Sequence, residues 1–382
     1  MPEEKKESVK TNVFDYMAWR GDIPLSLDGI NEVDALIFSI LSYLDFPDGA
    51  KEQVMPVKDI ADMLGQIPEE ERPEGPDRIM DKAYELIRQV ADSERFGGLK
   101  ATGFVNRIDA EMEMQFSAVT FLLPEGDVFI AFRGTDNELI GWQEDLSISF
   151  SEAVPAQIEA AGYAEEKAGV FPGPIYICGH SKGGNLAVWA AAHLSKENKE
   201  RLVAVYNNDG PGFGNDFLQR EEYLEIRGKI RAFIPESSIV GVLMEHDEYT
   251  TIKSSDKIVM QHDPFSWNVL GTKMVRADDR SRSGKRLDRT LNSWIRSMDK
   301  GEREAFVGTL FAILMADDAK TLGDIDKDKL KSIRAMQKYI RGMESEQRKQ
   351  FRAAPGKIFV NDETIENNPF LKLLFSRRDD DQ

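Results

Sequence analysis

Gly179-His180-Ser181-Lys182-Gly183 is a G-x-S-x-G pentapeptide, preceded by the apolar run Pro174-Ile175-Tyr176-Ile177-Cys178 and followed by a helix-compatible stretch over 185–192. Strand, sharp turn and helix in that order are what a nucleophile elbow requires. The flanking glycines make room for a strained turn that lifts the serine hydroxyl out of the sheet. An ordinary strand-to-helix turn with Ser181 as helix N-cap would carry the same five residues. The flanking pattern, more than the string, is what points to a nucleophile.

A serine nucleophile needs a base within hydrogen-bond reach, and the base needs an orienting carboxylate. With four histidines in the chain, elimination is possible. His180 is adjacent to Ser181, where neighbouring side chains diverge. His193 lies 12 residues along the expected helix, roughly 18 Å away at the rise of an α-helix. That leaves His246 and His262, both C-terminal to the serine as the order Ser, acid, His demands. His262 is favoured because it follows an expected last strand near 258–260, in the turn-prone segment Met260-Gln261-His262-Asp263-Pro264.

For the acid, Asp209 in Asn207-Asn208-Asp209-Gly210 stands directly after the strand that follows the nucleophile helix. Ends of adjacent parallel strands meet in one crevice, which would bring this carboxylate beside Ser181. Glu236, after the next strand, is the rival, with Asp247 and Asp256 behind it. An oxyanion hole would combine the Lys182 amide with one from Phe132-Arg133-Gly134-Thr135-Asp136, where the Thr135 amide and hydroxyl could both face a developing oxyanion. Arg133 is expected to brace that loop on a carboxylate such as Asp145.

The elements that must position these groups are legible as a change of period along the chain. Helical spacing marks 31–46, 58–64 and 76–93, separated by a Pro- and Glu-rich loop over 65–75. Two apolar runs, 114–123 and 128–132, flank Pro124-Glu125-Gly126-Asp127 and read as a hairpin. Strands at 174–178, 202–206, 229–234 and 258–260 then alternate with helices. That alternation predicts an α/β fold with a mostly parallel sheet covered by helices. Beyond 285 only helical patterning remains. The expected organisation is an N-terminal helical extension over 1–100 packed on the core, an α/β-hydrolase core over 101–285 and a helical C-terminal appendage over 286–382.

Composition narrows the partners. A formal charge of −18 over 382 residues argues against nucleic acid, since phosphate binding needs concentrated Lys and Arg. No apolar run approaches a membrane-spanning length and no secretory leader is visible, so a cytoplasmic location is expected. The single cysteine, Cys178, excludes an intramolecular disulfide and reads as a buried apolar residue. No cofactor is expected. Asp324-Ile325-Asp326-Lys327-Asp328 begins like a calcium loop, but Lys329 and Ala335 stand where glycine and glutamate are required, so it reads as a solvated helix start. The tail Asp379-Asp380-Asp381-Gln382 reads as disordered.

Over roughly 115–270 these residues resemble the class 3 (fungal-type) lipases of the α/β-hydrolase superfamily. Phe132-Arg133-Gly134-Thr135 with Trp142 and Asp145-Leu146 is similar to that family's oxyanion segment. Gly179-His180-Ser181-Lys182-Gly183-Gly184 is similar to its elbow, and His262 with Trp267 to its late histidine segment. With Trp19-Arg20-Gly21-Asp22 and Asn31-Glu32-Val33-Asp34 included, the chain resembles a bacterial branch of lipase-like proteins of unassigned function. The resemblance implies Ser181 as nucleophile, His262 as base, and Thr135 with Lys182 as oxyanion hole.

Two positions depart from the family. Serine, in Ser237-Ser238-Ile239-Val240, stands where its acid is expected, so either Asp209 has taken over from the preceding strand end, a position pancreatic-type lipases resemble, or the triad is incomplete. Lys182 replaces the elbow's usual leucine; its side chain could bind an anionic substrate or reach solvent along an apolar stem, and solvent is the favoured reading. The expected function is ester hydrolysis through an acyl-enzyme, on a small-molecule ester or acyl substrate held in an apolar pocket covered by 147–172 or 211–227. The alternatives are a thioesterase or acyltransferase, and a catalytically impaired scaffold whose C-terminal helices engage a protein partner.

Overall fold

The computed structural model describes residues 10–72, 79–136, 138–256, 258–282, 284–285, 289, 297–317, 319–321, 329–345, 348 and 351. The calcium-like segment 324–328 and the acidic tail lie outside them.

Among the described residues eight strands form one sheet in chain order. They are β1 (Met55–Pro56), β2 (Lys100–Asp109), β3 (Met114–Leu122), β4 (Val128–Phe132), β5 (Ile175–His180), β6 (Leu202–Asn208), β7 (Ile230–Pro235) and β8 (Thr250–Ile252). Pairing is antiparallel from β1 to β4 and parallel from β4 to β8. Parallel strands alternating with helices, with a sharp turn leading from the central strand β5 straight into a helix, are the architecture of an α/β-hydrolase. The edge strand expected at 258–260 is absent. Residues Ile258–His262 form a 3-10 helix and the sheet ends at β8. Strand β2, which sequence patterning did not mark, pairs with β3 along its length except for an irregularity between Thr102 and Val105.

The helices are α1 (Val13–Arg20), α2 (Glu32–Leu41), α3 (Gly49–Glu52), α4 (Val57–Gly65), α5 (Ile79–Asp92), α6 (Leu139–Ser147), α7 (Pro155–Val170), α8 (Lys182–Ala192), α9 (Lys196–Arg201), α10 (Asn215–Leu218), α11 (Glu221–Ile226), α12 (Lys300–Leu314) and α13 (Lys329–Gly342). Asn12 and Asn31 open α1 and α2 with capping boxes completed by Asp15 and Asp34, each satisfying N–H groups that have no acceptor within the helix.

The order of the parallel strands decides where the helices go. Because β4 to β8 are adjacent in sequence order, right-handed crossovers would all place their helices on one face. Helices α7, α8 and α11 do share one apolar cluster with Val128, Ile130, Phe132, Ile175, Ile177 and Val205. The intervening strand residues, Phe129, Ala131, Cys178, Ala204 and Tyr206, point the other way and pack under α1, α2, α4 and α5. The N-terminal helices therefore supply the second covering layer. A buried ion pair joins this layer: Arg95 holds Asp34 through Nε at 2.7 Å and gives its remaining donors to Asp34 and to the carbonyls of Ile23, Asp28 and Gly29. A third cluster packs α12 and α13 against Leu139 of α6. Among the described residues no helix is long and apolar enough to cross a membrane.

Candidate active site

Ser181 sits between β5 and α8 with φ +58° and ψ −133°, a backbone conformation that a non-glycine residue adopts only where its surroundings enforce it. The enforcing contacts are backbone to backbone. A Cβ on Gly179 would stand 2.1 Å from the Gly183 carbonyl carbon, and one on Gly183 would stand 2.1 Å from the Phe132 carbonyl oxygen. Although Ser181 occupies the N-cap position, its side chain makes no capping hydrogen bond. The ordinary N-cap role is therefore unfilled.

In the parallel register His180 faces Asn208, so the residues that follow, Ser181 and Asp209, leave adjacent strand ends together. The Ser181 amide donates to the Asn208 carbonyl at 3.0 Å. Asp209 is fully buried, also at positive φ (+57°), and its Oδ2 lies 2.7 Å from His262 Nδ1. Burial raises the Asp209 carboxyl above its ordinary range, against the hydrogen bond and charge of His262, the Ser238 hydroxyl and the Arg280 charge. Ser238, at the position where an aspartate was expected, donates its hydroxyl to the same Oδ2 at 2.7 Å. Gly241 leaves room for the other oxygen, since a Cβ there would stand 2.2 Å from Asp209 Oδ1.

The remaining candidates are placed elsewhere. Glu236 uses its carbonyl to accept from Ser281 N–H and Arg280 Nε; it is Asp209 that meets His262. Asp247 pairs with Arg227 at 3.0 Å. His246 packs edge-on to Tyr249, and burial lowers its imidazole to about 4. His193 stacks on Trp189 at 4.3 Å.

His180 has a use that elimination did not find. Its Nε2 lies 2.8 Å from the His262 carbonyl and its Nδ1 lies 2.9 Å from the Tyr43 hydroxyl. Burial holds the ring's pKa well below the ordinary histidine value, so it is neutral. A carbonyl only accepts, so Nε2 carries the single hydrogen and Nδ1 accepts from Tyr43. The Gly134 amide in turn donates to the Tyr43 oxygen. One hydrogen-bonded chain thus runs from the loop after β4, through Tyr43 in the turn after α2 and through His180, to the backbone of His262. Trp267, edge-on to the His180 ring, also holds this segment, its indole N–H donating to the Gln261 carbonyl at 2.8 Å. The N-terminal helices add the ion pair of Lys82 with Asp263 at 3.0 Å and the stack of Phe14 on Phe265.

The loop over 133–136 is pressed against the elbow. A Cβ on Gly134 would stand 2.6 Å from the His180 carbonyl and 2.9 Å from Ser181 Cβ. Three expectations there need correction. Thr135 gives its hydroxyl to Asp145 Oδ2 at 2.6 Å, which leaves only its amide for an oxyanion. Arg133 pairs with Asp136 at 3.3 Å and Asn106 at 3.0 Å, not with Asp145. The Lys182 side chain does not reach solvent: it is 1% exposed and turns inward to Glu144 Oε2 at 3.0 Å and the Gln115 carbonyl at 2.9 Å. An apolar environment rejects an unpaired ammonium, and Glu144, which carried no signal of its own, supplies the partner.

A cavity of about 410 Å³ opens beside α8, with Phe150, Trp189, Phe213, Phe217 and Met244 in its lining and Arg220, Lys300 and Arg303 among its polar groups. Gln157 of its wall donates to Asn185 at 2.7 Å, one turn after Ser181. Its lining draws on 148–157 and 213–220, within the two segments expected to cover a pocket. Among the described residues no group of His, Cys, Asp and Glu could hold a metal ion. Cys178 is buried in the sheet, which pushes its thiol up.

The Mbeg1-like family model matches residues 90–312. Among solved structures, the crystal structure of M37 lipase is 15% identical with a TM-score of 0.36, the match covering 56% of this chain and 70% of that one. The Rhizomucor miehei lipase in complex with its propeptide is 14% identical with a TM-score of 0.35, covering 61% and 76%. No curated protein matches. The family match takes in more than half of the chain, so the chain belongs to the Mbeg1-like family.

Proposed function

We propose that the protein is a serine hydrolase that cleaves a carboxylic ester through an acyl-enzyme. The observation that carries the reading is the buried Asp209 carboxylate on His262 Nδ1 at 2.7 Å, on the strand end beside the strained turn of Ser181. Asp209 fixes the imidazole tautomer with Nδ1 protonated, leaving Nε2 to take the Ser181 proton. Ser181 Oγ adds to the ester carbonyl carbon, and the carbonyl oxygen becomes an oxyanion held by the amides of Lys182 and Thr135. Collapse expels the alcohol, which takes its proton from His262, and a water activated by the same histidine releases the acid and restores the serine.

We assign the acyl group to the aromatic side of the cavity beside α8, formed by Phe150, Trp189, Phe213 and Phe217; its volume of about 410 Å³ falls in the range of small-molecule pockets, its other side is polar, and Ser181 and His262 are not among its lining residues. A thioester would use the same machinery. The test is hydrolysis of p-nitrophenyl esters and acyl thioesters from acetyl to dodecanoyl by the wild type and Ser181→Ala. Turnover that rises with acyl length and vanishes in the variant is expected. Turnover that survives in Ser181→Ala would refute the assignment.

A further inference from the structure

The elbow's lysine ties together both halves of the assigned oxyanion hole. Lys182 is the first residue of α8, so its amide has no intrahelical acceptor and is one of the two donors in the reading above. Its side chain leaves in the opposite direction and is buried. The ammonium meets Glu144 Oε2 at 3.0 Å and stands 3.9 Å from Asp145 Oδ1, two consecutive carboxylates on α6. Glu144 also accepts the amides of Gln115 at 3.1 Å and Ala156 at 2.8 Å, which anchors it to β3 and α7. Asp145 accepts the Thr135 hydroxyl at 2.6 Å, and Thr135 carries the second amide. A leucine at position 182 could fill space but could not hold two carboxylates.

We propose that the Lys182 side chain is a positioning cation for the oxyanion hole, fixing α6 so that Asp145 holds the Thr135 amide in register with the amide of Lys182 itself. The proposal rests on the serine-hydrolase reading, and it makes Lys182 act through Asp145 and Thr135 without touching substrate. Removing the ammonium alone leaves two carboxylates facing each other, so Lys182→Met is expected to lose folded protein. The double variant Lys182→Met, Glu144→Gln removes one charge of each sign and keeps an acceptor for one of the two amides that the Glu144 oxygens hold.

The experiment compares the wild type with this double variant and with Asp145→Ala, which releases Thr135 while leaving the Lys182–Glu144 pair intact. The readouts are the thermal midpoint, kcat and KM on p-nitrophenyl butyrate, and the rate of fluorophosphonate labelling. Expected are near-wild-type midpoints with kcat and labelling rate down by about ten- to hundredfold, as for a misplaced oxyanion donor, and KM within about twofold. Wild-type kcat in either folded variant, or a loss confined to KM, would overturn the proposal. Should the double variant not fold, Asp145→Ala decides alone. A wild type that neither turns over nor labels would remove the hydrolase reading and this proposal with it.

Discussion

At the scale of single residues, the acid is the most exacting assignment. Asp209 reaches His262 because a positive φ turns its carboxylate back toward the crevice, and Ser238 occupies the neighbouring position with a hydroxyl that supports the same oxygen. Asp209→Asn should lower kcat by about 10⁴-fold, the cost of leaving the base in the wrong tautomer, while Glu236→Gln should stay within about twofold; the reverse pattern in steady-state kinetics would move the acid to Glu236. Asp209 was legible because the ends of adjacent parallel strands converge, whereas the service of Ser238 was not, since a serine in a loop carries no mark of the carboxylate it will meet.

Asp145 gives a second prediction at this scale. Burial pushes its carboxyl from 3.8 up to about 6, opposed by Lys182, Thr135 and His262 and aided by Glu144. A folded-state value above the unfolded one means that the favourable contribution is complete below 3.8 and disappears as pH rises through about 6. Between pH 4 and 7, Asp145→Asn should therefore gain stability relative to the wild type by up to about 3 kcal/mol, from a shift of about two units at about 1.4 kcal/mol each. Thermal midpoints measured across that range read the difference, and a flat difference would contradict the assigned burial.

At the scale of elements, the histidine segment is held from outside the parallel sheet. Tyr43, in the turn after α2, accepts from Gly134 and donates to His180, which holds the His262 carbonyl. Tyr43→Phe would leave both the Gly134 amide and His180 Nδ1 buried without a partner. A loss of about 1–3 kcal/mol is expected in urea unfolding, together with a lower kcat as the loop after β4 and the base lose their common anchor. Unchanged stability and kcat would show that water replaces the hydroxyl. The sequence could not reveal this bridge, because Tyr43 and His180 are 137 positions apart and Tyr43 reads as one more apolar residue of an amphipathic helix. The missing edge strand has a comparable cause: Ile258-Val259-Met260 is too short an apolar run to separate a strand from a 3-10 turn.

At the scale of the whole molecule, the sheet explains why the site needs the chain on both sides of it. Parallel strands laid down in sequence order put α7, α8 and α11 on one face, leaving α1 to α5 to cover the other and to press Phe14, Tyr43 and Lys82 on the histidine segment. Helices α12 and α13 pack on α6 through Leu139, behind Glu144 and Asp145. The α/β class was readable from alternating periods. That a single face takes the crossover helices follows only from strand order, which no local pattern encodes.

The most direct measurement is labelling of the full chain by a fluorophosphonate at neutral pH, with peptide mapping and Ser181→Ala as the control. Rapid labelling confined to Ser181, slowed by orders of magnitude in Asp209→Asn, is the expected result, because the probe reports a serine activated by its base and orienting acid. Folded wild-type protein that stays unlabelled, or that is labelled equally in Ser181→Ala, would contradict the account.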